Sequence, residues 1–122
     1  MTANPFVILY VEDDELVRES FAEALATAER QVVAVADVAG ARVALRENNV
    51  NLLMTDLDLG NDSGLELARE ALQQNPRLPV IVCSGHDSRV LVQSLGPTAH
   101  ALRKPFALGE LQTLIDRLAR AT

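Results

Sequence analysis

Hydrophobic residues gather into five short runs, at residues 6–11, 31–36, 50–55, 78–83 and 99–103, each rich in Val, Ile or Leu and lacking polar alternation. Runs of that kind are strands covered on both faces, the pattern of a parallel sheet. His100 and Arg103 interrupt the last of them. Between the runs the period changes. Val17, Phe21, Leu25 and Ala28 recur at spacings of four, four and three, with Arg18, Glu19 and Glu23 opposite them, which predicts an amphipathic helix. From residue 107 onward Leu111, Leu114, Ile115 and Leu118 repeat, with Glu110, Arg117 and Arg120 outside. Residues 39–47, 64–74 and 87–95 fill the remaining helical slots, and Asn75–Pro76 and Gly96–Pro97 stop two of them. The pattern predicts an α/β domain, (βα)5, whose right-handed crossovers place helices on both faces of one doubly wound parallel sheet. Ligands of such sheets sit beyond the carboxyl ends of the strands.

With 122 residues, 48% hydrophobic and 23% charged, the chain has the size and makeup of a single domain spanning 1–122, with no effector domain expected. A core of this size needs no disulfide, and the lone Cys83 has no partner for one, so a reducing, cytoplasmic setting is expected. The 17 acidic against 11 basic residues give a net charge of −6, which disfavours direct nucleic-acid binding. Four aromatic residues offer no stacking platform. No apolar stretch approaches the ~20 residues that cross a bilayer, and the first residues lack a basic segment, so neither membrane insertion nor export is expected. Charge is uneven: residues 1–62 carry 12 acids and 4 bases, the remainder 5 and 7. Ten of the eleven bases are arginine, and Lys104 is the only lysine.

The strand ends carry the candidate chemistry. Glu12, Asp13 and Asp14 follow the first run, Asp56 and Asp58 the third, Ser84 and Gly85 the fourth, Lys104 and Pro105 the fifth. Two unit charges ~4 Å apart repel by about 4 kcal/mol at an effective dielectric of 20, enough to raise one pKa by about 3 units. A hard divalent cation removes the conflict, and an all-oxygen donor set favours Mg²⁺ or Mn²⁺. Without it, one carboxylate pKa should be raised. Acids that open a helix also complement its dipole, and Asp14 and Glu15 are read that way. The same explanation for Glu12, Asp13 and Asp56 together needs a coincidence at separate strand ends. Lys104 is either a solvated surface residue or a compact ammonium placed for chemistry, and its uniqueness among arginines favours the second. Ser84 is either a helix cap or a hydroxyl donor on the same edge. Acids, a cation, lysine and a hydroxyl describe a site that holds a phosphoryl group beside a carboxylate nucleophile.

The segments at residues 7–14 (VILYVEDD), 52–59 (LLMTDLDL), 61–67 (NDSGLEL), 78–85 (LPVIVCSG) and 104–106 (KPF), in this order, are similar to the receiver domain of bacterial two-component response regulators. The resemblance covers nearly the whole chain and implies a flavodoxin-like sheet of order 2-1-3-4-5. It also implies site roles. Asp56 would be the phosphorylated nucleophile, Asp13 a direct Mg²⁺ ligand, Glu12 a ligand largely through water, and Asp58 a ligand through its backbone carbonyl. Ser84 and Lys104 would bind phosphoryl oxygens, and the Lys104–Pro105 bond would be cis. The implied partners are a sensor histidine kinase or histidine phosphotransferase and a downstream protein target. The implied action is a switch that takes up and loses its own phosphoryl group, not a turnover enzyme.

The sequence departs from the family pattern at several places. Gly60 stands where proline is frequent, Ser63 where aspartate is frequent, and Ala101 where an aromatic switch residue is usual. The interval from Ser84 to Lys104 is also short. His86 follows Ser84 by two positions, where the resemblance places an influence on phosphoryl lifetime. His86 and His100 do not have metal-ligand spacing, and Cys83 reads as a small buried hydrophobe. Two other function classes remain. Thr55-Asp-Leu-Asp58 also resembles the Asp-x-Asp motif of haloacid-dehalogenase-type phosphohydrolases, although there the motif follows the first strand. A receiver-like docking module without the chemistry is the other.

Overall fold

The apolar runs pair side by side as parallel strands. In the computed structural model, which describes residues 5–121, the elements are β1 (Phe6–Val11), α1 (Glu15–Leu25), β2 (Arg30–Val35), α2 (Val38–Glu47), β3 (Leu52–Asp56), β4 (Asp58–Leu59), β5 (Asp62–Ser63), α3 (Gly64–Gln74), β6 (Val80–Ser84), α4 (Arg89–Gln93), β7 (Ala99–Arg103) and α5 (Leu108–Ala121). The main sheet has the order β2-β1-β3-β6-β7, with every pairing parallel. With the short β4–β5 ribbon set aside, this is the expected 2-1-3-4-5 order.

Alternation along each central strand divides the core in two. Leu9, Val11, Leu53, Val80 and Val82 face α2 and α3 through Ala41, Ala44, Leu67 and Ala68. Ile8, Tyr10, Leu52, Met54, Ile81 and Cys83 face the other way, against Leu25 of α1 and Leu111, Leu114, Ile115 and Leu118 of α5. β1, β3 and β6 therefore bury both faces, and their sequences show no polar alternation. Charge–charge ties fasten the periphery. Arg30 at the start of β2 pairs with Asp116 of α5, and Arg42 of α2 with Glu70 of α3 at 2.8 Å.

Several expected boundaries move. The strands expected at 31–36, 50–55 and 78–83 lie at Arg30–Val35, Leu52–Asp56 and Val80–Ser84. Two of these shifts make Asp56 and Ser84 the last residues of their strands. α1 stops at Leu25, so Ala28 is not part of it. Ala28 lies in a turn closed by reciprocal backbone bonds between Thr27 and Arg30 at 3.2 and 3.3 Å. The edge strand β2 is only half covered, with Gln31 and Ala34 exposed, because an edge strand has fewer neighbours than a central one.

α4 is shorter than the expected 87–95. At its start the Asp87 carboxylate accepts from the Arg89 amide at 3.1 Å and binds the Arg89 guanidinium, a local turn that competes with the helix. At its end Gly96 adopts φ +115° before Pro97. The β4–β5 ribbon was not expected from the sequence, since two-residue strands carry no periodicity.

Candidate functional site

Register brings the acids together. Val11 pairs with Thr55, so one step further along both strands Glu12 meets Asp56. Asp56 in turn pairs with Cys83, which leaves Ser84 one step beyond, and Ser84 pairs with Arg103, the residue before Lys104. The Lys104 amide donates to the Ser84 carbonyl at 2.7 Å, and the Lys104–Pro105 bond is cis. Glu12 and Asp56 are buried, Asp13 is exposed, and one carboxylate oxygen from each lies within 4.8 Å of the others. Lys104 Nζ stands 2.8 Å from Asp56 Oδ1 and 3.7 Å from Glu12 Oε1.

Three carboxylates share one ammonium, and the imbalance falls on Glu12. Burial, helped by a hydrogen bond with the Asp56 carboxylate and by its charge, pushes the Glu12 carboxyl up to about 7. The Asp14 amide, which donates to Glu12 Oε2 at 3.2 Å, and the Lys104 charge oppose this without cancelling it. The raised carboxylate expected from converging acids is therefore Glu12. Burial pulls the Lys104 ammonium down, but the bond to Asp56 and the charges of Asp56 and Glu12 outweigh it and hold Lys104 above its ordinary value. Burial also raises the Tyr10 hydroxyl and pushes the Cys83 thiol up to about 12, so both remain neutral core residues.

The loops around the cluster are fixed by specific contacts. Arg18, which the helical period turns outward, reaches back to donate to the Glu12 carbonyl at 3.0 Å. Asp14 caps α1 by accepting from the Val17 amide at 3.0 Å, the helix-start role read for it. Thr55 Oγ1 donates to the Asp56 carbonyl at 2.9 Å, and the Leu57 amide to the Cys83 carbonyl at 2.8 Å. Gly64 opens α3 against the Asp56 carbonyl. A Cβ added there would lie 1.7 Å from the Asp56 oxygen, so only glycine lets the helix start this close to the acid. Gly60, with φ +66°, makes the turn between β4 and β5 in a conformation that favours glycine.

Of the residues singled out in the sequence, Glu12, Asp13, Asp56 and Lys104 converge, and Ser84 stands beside them, 5% exposed. Ser84 does not cap α4, whose preceding residue is Ser88. Its Oγ accepts from the His86 amide at 3.2 Å and lies 3.1 Å from His86 Nδ1. Asp58 opens the ribbon with its side chain exposed, and among the described residues its carboxylate is outside the acid cluster. Ala101 is half-buried on β7 and packs against the core that faces α2 and α3. Gly64 is the site-shaping residue that sequence reasoning left as a mere helix start. Its signal was a glycine in the first turn, where the residue favours no helix.

An all-oxygen cluster beside an ammonium, at the carboxyl edge of a doubly wound parallel sheet, defines an acid-site α/β domain of the flavodoxin-like class. Residues 8–116 match the family model of the response regulator receiver domain, and the chain belongs to that family. It is 34% identical over 113 residues to the response regulator receiver protein CpdR of Brucella abortus, covering 91% of this chain and 94% of CpdR. It is 32% identical to the response regulator MprA of Mycobacterium sp. (strain KMS), covering 97% of this chain but 52% of MprA, so it spans about half of that longer relative. A response regulator receiver protein from Pseudomonas putida superposes with a TM-score of 0.83 at 30% identity, covering 95% of this chain and 99% of that one. Among the described residues no helix is long and apolar enough to cross a membrane.

Proposed function

We propose that this receiver is a phosphorylation-dependent switch in which Asp56 accepts a phosphoryl group from the phosphohistidine of a sensor kinase or histidine phosphotransferase. The observation that carries the reading is the buried Asp56 carboxylate held at a strand end with Lys104 Nζ at 2.8 Å. An Asp56 oxygen attacks phosphorus. The P–O bond forms as the P–N bond to the donor imidazole breaks, and the electron pair leaves with the imidazole, which takes up a proton. Lys104, already bonded to Asp56, is the cation positioned to receive the transferred phosphoryl oxygens. Ser84 supplies one hydroxyl donor on the same edge.

The carboxylates of Glu12, Asp13 and Asp56 with the Asp58 carbonyl are the oxygen set that would hold Mg²⁺ or Mn²⁺, and a divalent cation would relieve the repulsion that helps raise the Glu12 carboxyl. When bound, the cation supplies charge neutralisation for the phosphoryl oxygens. The aspartyl phosphate persists until water removes it, so the domain acts as a switch read by a downstream protein.

Acetyl phosphate with Mg²⁺ tests the reading. It should add one acid-stable, hydroxylamine-labile phosphoryl group, and Asp56→Asn should abolish it. Persistence of the adduct in that variant would move the site, with Asp58 next to be replaced. Many turnovers on a phosphate monoester would instead establish a phosphohydrolase.

A further inference from the structure

Ser84 has a single proton to give. Its hydroxyl is buried, and its only hydrogen-bond partners among the described residues belong to His86. The His86 amide donates to Oγ at 3.2 Å, which uses part of the oxygen's accepting capacity. If the ring also donated, the buried Ser84 proton would have no acceptor, a costly arrangement. The geometry that satisfies every group has the Ser84 hydroxyl donating to His86 Nδ1 at 3.1 Å, with the ring proton on Nε2.

We propose that His86 is a positioning residue that captures the Ser84 proton in the resting domain, so that Ser84 must surrender this bond before it donates to an oxygen carried by Asp56. The inference rests on the phosphoryl-acceptor reading of Asp56 and deepens it. The released ring has somewhere to go. A cavity of about 190 Å³, lined by His86, Ser88, Ala101 and Arg103 among others, adjoins the loop, and the small Ala101 side chain helps keep it open. Capture by His86 thus sets a threshold on site occupancy that belongs to this chain's own loop.

Two measurements test it. In the free protein, ¹⁵N shifts of the His86 ring should report the Nε2–H tautomer, and an Nδ1–H tautomer would overturn the proposal. Beryllofluoride affinity at fixed Mg²⁺ and pH 8, in a double-mutant cycle, gives the second. His86→Ala should tighten binding by about two- to ten-fold, the equivalent of one hydrogen bond's net worth. The effect should vanish in a Ser84→Ala background. His86→Asn, which puts an amide oxygen where Nδ1 stands, should restore the wild-type affinity, whereas His86→Gln, whose acceptor lies one bond further out, should not. Unchanged or weaker binding by His86→Ala, or an effect that survives without Ser84, would overturn the capture. Beryllofluoride that fails to bind the wild-type protein would overturn the phosphoryl-acceptor reading, and the capture with it.

Discussion

Glu12→Gln isolates the electrostatic cost of the site. The Glu12 carboxyl sits at about 7 in the folded protein against an ordinary value of 4.5. Between those values the folded state binds more protons than the unfolded state, so stability falls as pH rises through the folded value. The contribution is complete below pH 4.5 and lost above 7. At pH 8 the difference amounts to at most about 3 kcal/mol, from 1.36 kcal/mol per pKa unit. Lys104, about 39% exposed, admits solvent to one side of the cluster, and screening brings the expectation to about 2 kcal/mol.

Gln keeps the oxygen that accepts the Asp14 amide and removes the charge. Without divalent cations the variant should therefore exceed the wild type by about 2 kcal/mol at pH 8, or roughly 6–10 °C in Tm for a domain this size. At pH 4 the two should nearly coincide. Urea unfolding of both proteins in EDTA across pH 4–8 measures this, and comparison of the pair cancels the titrating groups that do not interact with Glu12. A pH-independent difference, or a variant less stable at pH 8, would refute the assignment of the raised carboxyl to Glu12.

Three further outcomes follow from particular contacts. Gly64→Ala drives a Cβ into the Asp56 carbonyl and should cost about 3 kcal/mol or more, against about 1 kcal/mol for loss of the neighbouring Ser63 cap in Ser63→Ala; denaturant midpoints compare the two. Asp56→Asn should lower the Glu12 pKa and Lys104→Ala should raise it, because Asp56 pushes that carboxyl up and Lys104 pulls it down; carboxyl ¹³C titration reads the opposite signs. Beryllofluoride with Mg²⁺ should shift amide resonances strongly in the loops after β3 and β6 and only modestly on β7, since Ala101 has no ring to reorient, and a rearrangement centred on residues 99–103 would sink this view.

The strands and the converging side chains were legible because both are local signals. An apolar run that gives way to Asp56 marks the end of its strand to within a residue, and even the run broken by His100 and Arg103 stops just before Lys104. Gly64 was less legible, since its requirement is a tertiary distance to the Asp56 carbonyl that no spacing encodes. The end of α1 at Leu25 is not legible in the sequence, because alanines at 24, 26 and 28 carry the apolar pattern past it without a stop signal. The half-covered face of β2 follows from its place at the sheet edge, and the sequence of one strand does not reveal how many neighbours it has. The contact between Ser84 Oγ and His86 Nδ1 depends on the turn after β6, next to the Asp87–Arg89 pair at the start of α4, and no spacing in the sequence encodes it.

The charge count at the site sets the linkage between proton and metal. Asp56 has the ammonium at 2.8 Å, and Asp13 is exposed to water, but the buried Glu12 has only a distant share of Lys104 and so holds a proton near neutral pH. A cation that binds the cluster must displace that proton. With the folded value raised to about 7, Glu12 carries a proton over much of the range below neutral pH and loses it above. Mg²⁺ binding at pH 6 should therefore release a substantial fraction of a proton, and far less at pH 8.5. Calorimetric titration in two buffers of different ionisation enthalpy measures the release directly. Glu12→Gln should abolish it at both pH values while leaving Asp13 and Asp56 to bind Mg²⁺ more weakly. Equal release at the two pH values, or release that survives in the Gln variant, would mean that another group carries the proton and that Glu12 stays ionised in spite of its burial.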